Sequence, residues 1–207
     1  MDKTEIRRLA LTRRGLIGGD EKRKKAKDRA IGERLLALDA FSKAKTALFY
    51  ASFRDEADTL GLIEWSLGAG KRVMLPRVEG RELALYHIGS MTELIKSRMS
   101  IPEPSGNGPA AGITEADIII VPGVAFDLFG GRLGYGKGYY DRLLARPDKS
   151  TGKSVPIIAL AYEAQIYEGR LPLAPHDIPM HCVITEKRTL RVAAGAPENE
   201  KRAVEKH

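Results

Sequence analysis

Apolar residues recur along the chain in two patterns, one typical of helices and one typical of buried strands. Helical spacing of apolar side chains, together with capping signals, predicts helices over residues 1–14, 21–38, 59–67, 91–97 and 138–146. Short apolar runs predict strands over residues 46–52, 72–78, 82–88, 116–121, 155–162 and 181–185. Gly15, Gly18 and Gly19 are expected to end the first helix, and Asp20 is expected to cap the second. The Pro- and Gly-rich residues 100–112 are expected to form a loop.

The order of these elements indicates the fold class. Strands alternate with helices, and the run ADIIIV at residues 116–121 is apolar on both faces, as in the centre of a parallel sheet. The sequence therefore predicts an α/β fold, a three-layer sandwich with a mostly parallel central sheet and helices on both faces. The length of 207 residues suits one domain, which we expect over residues 1–190, followed by a disordered tail over residues 191–207.

Composition narrows the class of protein. Hydrophobic residues make up 43% of the chain, which argues against global disorder. The single cysteine, Cys182, cannot form an internal disulfide, so a reducing compartment is favoured over a secreted, disulfide-stabilised fold. The sequence contains no apolar run of the roughly 18 residues that a membrane-spanning helix needs, and no apolar segment typical of a signal peptide. We therefore expect a cytoplasmic protein with no membrane partner, which acts as a monomer.

Positive charge is concentrated in two segments. The chain has 34 Lys and Arg residues against 27 Asp and Glu residues, a net charge of +7. Residues 1–29 contain eleven basic and five acidic side chains, and residues 130–153 contain six and two. Such segments are typical of a nucleic-acid surface or of a pocket for a small polyanion, whereas the run at 22–27 is interpreted as a solvated helix face. Residues 1–29 contain no aromatic side chain for base stacking and no helix-turn-helix or zinc spacing, which argues against a nucleic-acid partner.

The segment with the most chemical information follows the apolar strand at 116–121 and includes the run VPGVAFDLFGGRLGYGKGYYDRLLAR. Five glycines fall within residues 130–138, with Arg132 and Lys137 among them. Glycines allow the backbone to turn with positive φ, and exposed N–H groups with two cations form a cradle for phosphate. The spacing matches neither the Walker A motif nor the dinucleotide fingerprint. Asp141 in the following helix is interpreted either as a Mg²⁺ ligand or as an acid that complements the helix dipole.

The run GRLGYGKGYYDR closely resembles the signature of the 5-formyltetrahydrofolate cyclo-ligases, also called methenyltetrahydrofolate synthetases. Three shorter segments resemble the same family in the same order: KTEIR at residues 3–7, YASFRDEADT at 50–59 and LPLAPHD at 171–177. The resemblance spans about residues 3–185, which is nearly all of the predicted domain. The glycine-rich run is its specific part, since the three shorter segments are weak signals when taken alone.

The resemblance implies an ATP- and Mg²⁺-dependent ligase of folate one-carbon metabolism. Members of the family convert 5-formyltetrahydrofolate to 5,10-methenyltetrahydrofolate, with ADP and phosphate as further products. The formyl oxygen is a poor leaving group, so its phosphorylation gives an iminium phosphate that N10 attacks as phosphate leaves. The expected partners are thus small-molecule substrates, a reduced folate and ATP. The fold alone would also suit another enzyme that acts on ATP or a sugar phosphate.

The resemblance also implies roles for individual residues. Lys137 and Arg132 are implied to be catalytic, and Asp141 and Asp177 to bind Mg²⁺. The implied ATP-binding residues are Lys3, Arg7, Arg132, Leu133, Gly134, Tyr135, Gly136, Lys137, Gly138, Tyr139 and Tyr140. The implied folate-binding residues are Arg7, Ala51, Glu56, Tyr135, Gly136, Lys137, Gly138 and Tyr139, with Glu56 on the pterin ring. Without the resemblance, Lys3 and Arg7 would be interpreted as solvated helix cations, and Glu56 as either a ligand or an exposed acid.

Overall fold

The computed structural model describes residues 1–97, 100–145, 155–174 and 177–192. Its α-helices are α1 (Lys3–Gly18), α2 (Glu21–Leu36), α3 (Asp39–Lys43), α4 (Leu60–Gly68) and α5 (Tyr139–Leu144). Its strands are β1 (Thr46–Leu48), β2 (Arg72–Glu79), β3 (Glu82–Ile88), β4 (Leu94–Lys96), β5 (Pro102–Pro104), β6 (Ile118–Val121), β7 (Ala125–Asp127), β8 (Arg132–Leu133), β9 (Ile157–Leu160), β10 (Ile166–Tyr167), β11 (Cys182–Ile184) and β12 (Thr189–Arg191). No helix among the described residues is long and apolar enough to cross a membrane.

A seven-stranded sheet forms the middle layer, in the order β12-β11-β9-β6-β1-β2-β3. Strands β11, β9, β6, β1 and β2 run parallel to one another, and the edge strands β12 and β3 are antiparallel to their neighbours. Every residue is buried in the short inner strands β1, β6, β9 and β11, such as IIIV in β6 and IIAL in β9, whereas the longer β2 is buried only in part. The predicted mostly parallel sheet is therefore confirmed.

Alternate residues of the strands point to opposite faces of the sheet and divide the core into two clusters. Around β1, Ala47 and Phe49 pack on one face and Leu48 packs on the other. Helices α2, α3 and α4 supply apolar residues to the first cluster, and α5 supplies Leu143 and Leu144 to the second. Helices thus cover both faces, which confirms the predicted three-layer sandwich.

Helix α1 packs against a second, smaller sheet of order β10-β7-β8. Ile6 and Ala10 of α1 join Val124, Ala125 and Leu133 in a third apolar cluster. Because β7 follows β6 closely in the chain, this small sheet lies beyond the carboxyl end of a central strand. The packing therefore brings α1 to the edge where parallel α/β sheets bind their ligands.

Helix α1 is longer than the sequence predicts. It continues through Gly15 and ends at Gly18, whereas the glycines are expected to stop it near Arg14. Arg14 and Ile17 are buried, so tertiary packing outweighs the cost of about 1 kcal/mol that glycine adds inside a helix. The predicted N-cap of α2 is confirmed, because the side chain of Asp20 accepts a hydrogen bond from a backbone N–H of that helix.

The segment around residues 91–104 also differs from its prediction. A helix over 91–97 is predicted, but the chain forms a single 3₁₀ turn followed by β4, although the predicted capping box of Ser90 and Glu93 is present. Part of the predicted loop at 100–112 forms β5, which pairs antiparallel with β4. The sequences LIK and PEP have weak strand signals, so pairing rather than propensity decides this local structure.

The basic run at 22–27 is a solvated helix face in part. Its exposed members are Lys22, Arg23 and Lys25, whereas Lys24 and Lys27 form less exposed ion pairs. Lys27 forms an ion pair with Glu186 in which both side chains are largely buried. Lys24 Nζ lies 2.7 Å from Asp28 Oδ2, again with little exposure of either side chain. The Lys27–Glu186 ion pair therefore connects α2 to the segment that follows β11.

Strands β11 and β12 complete one edge of the sheet. Cys182 lies in β11, and burial raises its thiol pKa to about 11, so the thiol stays protonated and unreactive near neutral pH. Strand β12 reaches Arg191, inside the segment that the sequence assigns to a tail. The rest of that tail, residues 193–207, lies outside the described residues.

Candidate active site

The predicted site residues lie at the carboxyl edge of the central sheet. The chain proceeds from β1 to β2 on one side, whereas β6 lies on the other side of β1, so the strand order reverses between β1 and β6. Such a reversal forms a crevice in open α/β sheets, and ligands bind there. The loop of residues 50–59 follows β1, and the glycine-rich segment follows β6 and β7, so both border this crevice.

The glycine-rich loop, residues 128–138, is held at its start by a buried carboxylate. Asp127 is 1% exposed. Its side chain accepts hydrogen bonds from the backbone N–H groups of Phe129, Gly131 and Leu171, at 2.8, 2.7 and 2.8 Å. This residue is not among those that the sequence predicts; its signal is an acid at the end of a short apolar run, just before a turn with two adjacent glycines. Asp127 fixes the loop and joins it to the segment at Leu171.

Three glycines of this loop adopt backbone conformations that other residues rarely adopt. Gly130, Gly136 and Gly138 have φ values of 84°, 93° and 67°. A Cβ atom on Gly136 would lie 3.6 Å from the guanidinium of Arg7. Arg7 Nε also donates a hydrogen bond to the carbonyl oxygen of Gly134, at 2.8 Å. The loop therefore bends closely around the side chain of Arg7.

Helix α1 directs three cations toward this region. At about 100° per residue, positions 3, 7 and 14 fall on one face of the helix. Lys3 Nζ lies 3.6 Å from Asp177 Oδ2, and Arg7 contacts the glycine-rich loop as described. Arg14 Nη2 donates a hydrogen bond to the hydroxyl oxygen of Tyr135, at 2.6 Å. The structure thus brings Arg7 to the predicted phosphate cradle and Lys3 to Asp177, together with a third cation that the sequence does not predict.

Arg132 lies at the centre of a cluster that includes carboxylates. Its side chain is 5% exposed, forms an ion pair with Asp141, and stacks its guanidinium carbon 5.7 Å from the ring centroid of Tyr140. Burial lowers the pKa of Arg132, and the negative charges of Asp141 and Asp177 oppose that shift. Arg132 Nε is buried and has no hydrogen-bond partner in the described part of the chain. Such an orphaned donor is typical of a site that an ion, water or ligand completes.

Asp141 and Asp177 are the two carboxylates predicted to hold Mg²⁺. Asp141 contacts Arg132 directly, and the charge of Asp177 acts on the same guanidinium. Within the described ranges, no three His, Cys, Asp or Glu side chains are grouped as a metal site. Mg²⁺ is commonly held by one or two carboxylates together with phosphates and water, so two carboxylates beside the cations that are predicted to bind phosphate fit this ion.

Glu56 lies in the loop of residues 50–59 and faces the glycine-rich loop. Its Oε2 accepts a hydrogen bond from the backbone N–H of Phe53 at 3.1 Å, and its Oε1 accepts one from the hydroxyl of Tyr135 at 3.2 Å. Burial raises the pKa of the Glu56 carboxyl above its usual value, although the charge of Arg14 and these hydrogen bonds oppose the increase. The hydrogen bond between Tyr135 and Glu56 therefore joins the glycine-rich loop to the loop of residues 50–59 across the crevice.

A buried hydrogen-bond network supports the Glu56 loop from below. Thr59 Oγ1 donates to the carbonyl oxygen of Tyr50 at 2.6 Å, which closes the loop after β1. The hydroxyl of Tyr162 donates to Asp28 Oδ1 at 2.6 Å and lies 3.4 Å from the carbonyl oxygen of Glu56. These contacts connect the ends of β1 and β9 with α2, so the position of Glu56 is set by the packed layers of the fold.

The three tyrosines of the glycine-rich segment have different surroundings. Tyr135 is 53% exposed and lies beside Glu56. Tyr139 donates to the carbonyl oxygen of Gly80 at 3.4 Å, in the turn between β2 and β3. Tyr140 packs against both core clusters, and burial raises the pKa of its hydroxyl. Tyr135 is therefore the tyrosine that offers aromatic surface next to Glu56.

The remaining predicted ligand residues present different groups to the crevice. Lys137 is exposed at the tip of the glycine-rich loop, and its carbonyl oxygen accepts a hydrogen bond from Arg142 Nη1 at 3.1 Å. Leu133 and Ala51 are buried, and Leu133 belongs to the third apolar cluster with α1. Their side chains serve packing, so a ligand would meet mainly their backbone.

Comparison with known proteins agrees with this geometry. The model of the 5-formyltetrahydrofolate cyclo-ligase family matches residues 1–186. The 5-formyltetrahydrofolate cyclo-ligase of Escherichia coli (strain K12) is 36% identical over 161 residues, which are 75% of this chain and 85% of that protein. The mitochondrial 5-formyltetrahydrofolate cyclo-ligase of Arabidopsis thaliana is 30% identical over 210 residues, which cover 90% of this chain and 76% of that protein.

A solved structure agrees over an even larger part of the chain. The NMR structure of 5,10-methenyltetrahydrofolate synthetase from Aquifex aeolicus matches with a TM-score of 0.81 and 36% sequence identity, and the match covers 98% of each chain. This chain is therefore similar to these enzymes both in sequence and in the arrangement of its layers. Since the family match extends over most of the chain, this protein belongs to the 5-formyltetrahydrofolate cyclo-ligase family.

Proposed function

We propose that this protein catalyses the ATP- and Mg²⁺-dependent conversion of 5-formyltetrahydrofolate to 5,10-methenyltetrahydrofolate, with release of ADP and phosphate. The observation that supports the proposal is that the glycine-rich loop links a group of cations to a carboxylate. Arg7 and Arg132 provide cations suited to a phosphate chain, and Tyr135 connects the loop to the Glu56 carboxylate. Phosphoryl transfer to a bound folate requires a phosphate site and a pterin site in direct contact.

The reaction needs activation because the formyl oxygen is a poor leaving group and N10 is a weak nucleophile toward an amide-like carbon. In the proposed reaction, the γ-phosphoryl group of ATP moves to the formyl oxygen, which forms an iminium phosphate and releases ADP. N10 then attacks the formyl carbon and loses its proton, the ring closes, and phosphate leaves with the oxygen. The protein contributes mainly by positioning the substrates and by stabilising negative charge on the transferred group.

The cations of the site are assigned to the phosphate chain of ATP. Lys137 is exposed at the loop tip and is assigned to the transferred phosphoryl group. Arg132 is buried beside Asp141 and is assigned to the same group from the floor of the site. Lys3 and Arg7 approach from α1, and the backbone N–H groups of residues 133–138 add further donors.

The folate is assigned to the side of the crevice that contains Glu56. A carboxylate accepts two N–H bonds from the aminopyrimidinone of a pterin, and partial burial of Glu56 strengthens such bonds. The half-exposed ring of Tyr135 offers a packing surface beside it. Arg7 lies between the glycine-rich loop and the open crevice and is assigned to both substrates.

Asp141 and Asp177 are proposed to hold Mg²⁺ together with oxygen atoms of ATP. When bound, the ion neutralises part of the charge of the phosphate chain. Arg132 and Lys3 lie beside these carboxylates and balance their charge, so both acids stay close to the place where the phosphates are assigned.

The proposal also covers the oligomeric state of the enzyme and the cellular compartment in which it acts. The assigned residues extend from Lys3 in the first helix to Asp177 near the last strands, and we take the monomer as the active form. The single cysteine, Cys182, is buried and unpaired, in agreement with a reducing cytoplasm. Size-exclusion chromatography of the active enzyme tests the first point, and fractionation of the producing cell tests the second.

The proposed reaction is tested by a turnover assay with 5-formyltetrahydrofolate, ATP and Mg²⁺, in which the absorbance of the methenyl product is followed. We expect product that depends on both ATP and Mg²⁺, with one ADP formed for each methenyl group. A folded protein that forms no methenyl product contradicts the proposal. Binding to DNA with a steep dependence on salt would instead favour a nucleic-acid partner.

A further inference from the structure

Helix α1 contains a buried arginine to which none of the roles above is assigned. Arg14 is 4% exposed, and its Nε has no hydrogen-bond partner among the described residues. Burial of a guanidinium is costly unless its surroundings compensate for the lost water. The helix places this charge on the face that also contains Lys3 and Arg7, so Arg14 points toward the site rather than toward solvent.

The contacts of Arg14 show where its charge is directed. Arg14 Nη2 donates to the hydroxyl oxygen of Tyr135 at 2.6 Å, and Nη1 lies 3.5 Å from the carbonyl oxygen of Gly123. The guanidinium carbon lies 5.6 Å from the centroid of the Tyr135 ring. The Tyr135 hydroxyl donates in turn to Glu56 Oε1 at 3.2 Å. A chain of two hydrogen bonds therefore runs from Arg14 through Tyr135 to Glu56.

We propose that Arg14 is a positioning residue for folate binding, which holds Tyr135 and, through the Tyr135 hydroxyl, orients the Glu56 carboxylate toward the pterin ring. This inference rests on the proposed function, because it takes Glu56 as the group that binds the pterin. Arg14 thus differs in role from Lys3 and Arg7, although all three residues lie on one face of α1. The first turns of the helix would serve the phosphates, with Arg7 also near the folate, and the fourth turn would serve the folate alone.

The surroundings of Glu56 explain why a nearby cation matters. The charged and titratable side chains that face it are Arg14 from α1, Asp55 from its own loop, Tyr50 after β1, Tyr135 from the glycine-rich loop, Tyr140 from α5 and Tyr162 after β9. Burial raises the pKa of the Glu56 carboxyl, and the charge of Arg14 opposes that increase. Since the ionised carboxylate accepts two N–H bonds and the protonated form does not, loss of the Arg14 charge favours the form that binds folate less well.

Two substitutions separate the charge of Arg14 from its size. Arg14→Gln removes the charge and keeps a donor, and it is expected to raise KM for 5-formyltetrahydrofolate about tenfold in mildly acidic buffer. KM for ATP should change less than about twofold, because the hydrogen bonds of Arg14 go to the Tyr135 hydroxyl and the Gly123 carbonyl oxygen and not to a side chain assigned to the phosphates. The increase in folate KM should shrink as the pH rises, since Glu56 becomes ionised again. Arg14→Lys keeps the charge and should retain the pH dependence of the wild type.

Arg13 provides a matched control on the same helix. It is an exposed neighbour of Arg14, so Arg13→Gln removes the same charge without touching Tyr135 and should leave both KM values and their pH dependence unchanged. Equal increases of KM for folate and ATP in Arg14→Gln, or an increase in folate KM that is independent of pH, would indicate a general disturbance of α1 and overturn the proposal. A folded Arg14→Gln with wild-type folate KM overturns it as well.

A second variant covers the case in which Arg14→Gln does not fold. Tyr135 is half exposed, so Tyr135→Phe should fold while it removes the hydroxyl that links Arg14 to Glu56. A raised folate KM with unchanged ATP KM supports the proposal, and a wild-type folate KM at every pH overturns it. If the wild type shows turnover and the variants keep its folate KM, the role of Arg14 is contradicted but the proposed function is not. A wild-type protein without turnover contradicts the proposed function and this inference with it.

Discussion

Lys3 and Asp177 lie 3.6 Å apart, measured from Nζ to Oδ2, although one begins the first helix and the other lies near the last strands. Asp177 is held in place by the backbone N–H of Ala174, which lies 2.7 Å from its Oδ2, and its charge acts on Arg132. The contact therefore closes the site between the two ends of the domain. It also places a carboxylate among cations, where a metal ion and phosphates are assigned.

Asp177→Asn tests the metal assignment of this carboxylate. The Mg²⁺ concentration needed for half-maximal activity should rise at least about tenfold, because a neutral amide oxygen is a weaker ligand for Mg²⁺ than a carboxylate. Thermal unfolding should change little, since the contact with Lys3 is long and partly exposed. Activity measured against free Mg²⁺ gives the answer, with the exposed acid variant Asp39→Asn as control. An unchanged Mg²⁺ requirement in Asp177→Asn would refute the assignment.

Lys137→Ala tests the assignment of the loop tip to the transferred phosphoryl group. We expect kcat to fall by about 10²- to 10³-fold, because the lysine stabilises charge that develops in the transition state. The stability should stay the same, since the Lys137 side chain is exposed. Lys22→Ala removes another exposed lysine, which lies in α2 outside the glycine-rich loop, and should leave kcat unchanged. Comparable rates for the two variants would show that the phosphate cradle is misplaced.

The fold could be predicted in its layers but not in all of its boundaries. Alternation of uniformly apolar strands with helices is sufficient to predict a three-layer sandwich, because both faces of a parallel sheet must be covered. Gly15 lies inside α1 because Arg14 and Ile17 next to it are buried. Local helix propensity contains no information about that burial. Strand β5 includes Pro102 and Pro104 and exists through its pairing with β4. These differences arise from tertiary contacts.

The site could be predicted where its chemistry is local in sequence. The glycines and cations of residues 128–138 are adjacent in the chain, so the sequence alone predicts that they lie together, and their role as a phosphate cradle stays a prediction. Arg14 could not be predicted, because it acts through Tyr135, which the fold alone brings near. For Asp127 only the turn with Phe129 and Gly131 is local in sequence, and its contact with Leu171 depends on the fold. A helix position occupied by arginine is typical of solvent exposure, and its burial becomes visible only with the packing of α1.

Asp127→Asn separates a structural carboxylate from the proposed metal ligands. Asp127 accepts three backbone hydrogen bonds, and an asparagine amide nitrogen is a donor that cannot replace one of those acceptors. We expect a loss of about 2–3 kcal/mol in the free energy of unfolding, measured with urea. Asp141→Asn, by contrast, should lower activity far more than stability, because Asp141 lies at the partly exposed edge of the site. Equal stability losses in both variants would argue against this division of roles.

The buried ion pair of Lys27 and Glu186 predicts how stability depends on pH. Burial alone would raise the pKa of Glu186, but hydrogen bonds from Lys27 and from backbone N–H groups, including that of Glu163, lower it below its usual value. A carboxyl with a lowered pKa in the folded state stabilises the protein fully above its unfolded pKa of about 4.5, and this contribution is lost as the pH falls through the folded pKa. Stability should therefore decrease in the acidic range.

Lys27→Met reverses the sign of this dependence. Glu186 then remains buried without its cation, so its pKa should rise above the usual value and its ionised form should destabilise the fold. We expect a loss of about 2–3 kcal/mol near neutral pH that shrinks on acidification, as Glu186 takes up a proton. Urea unfolding at several pH values measures both effects. Lys25→Met removes an exposed partner of Glu21 from the same helix, and its pH profile should follow that of the wild type. A Lys27→Met deficit that stays constant with pH would show that the pair contributes packing rather than charge.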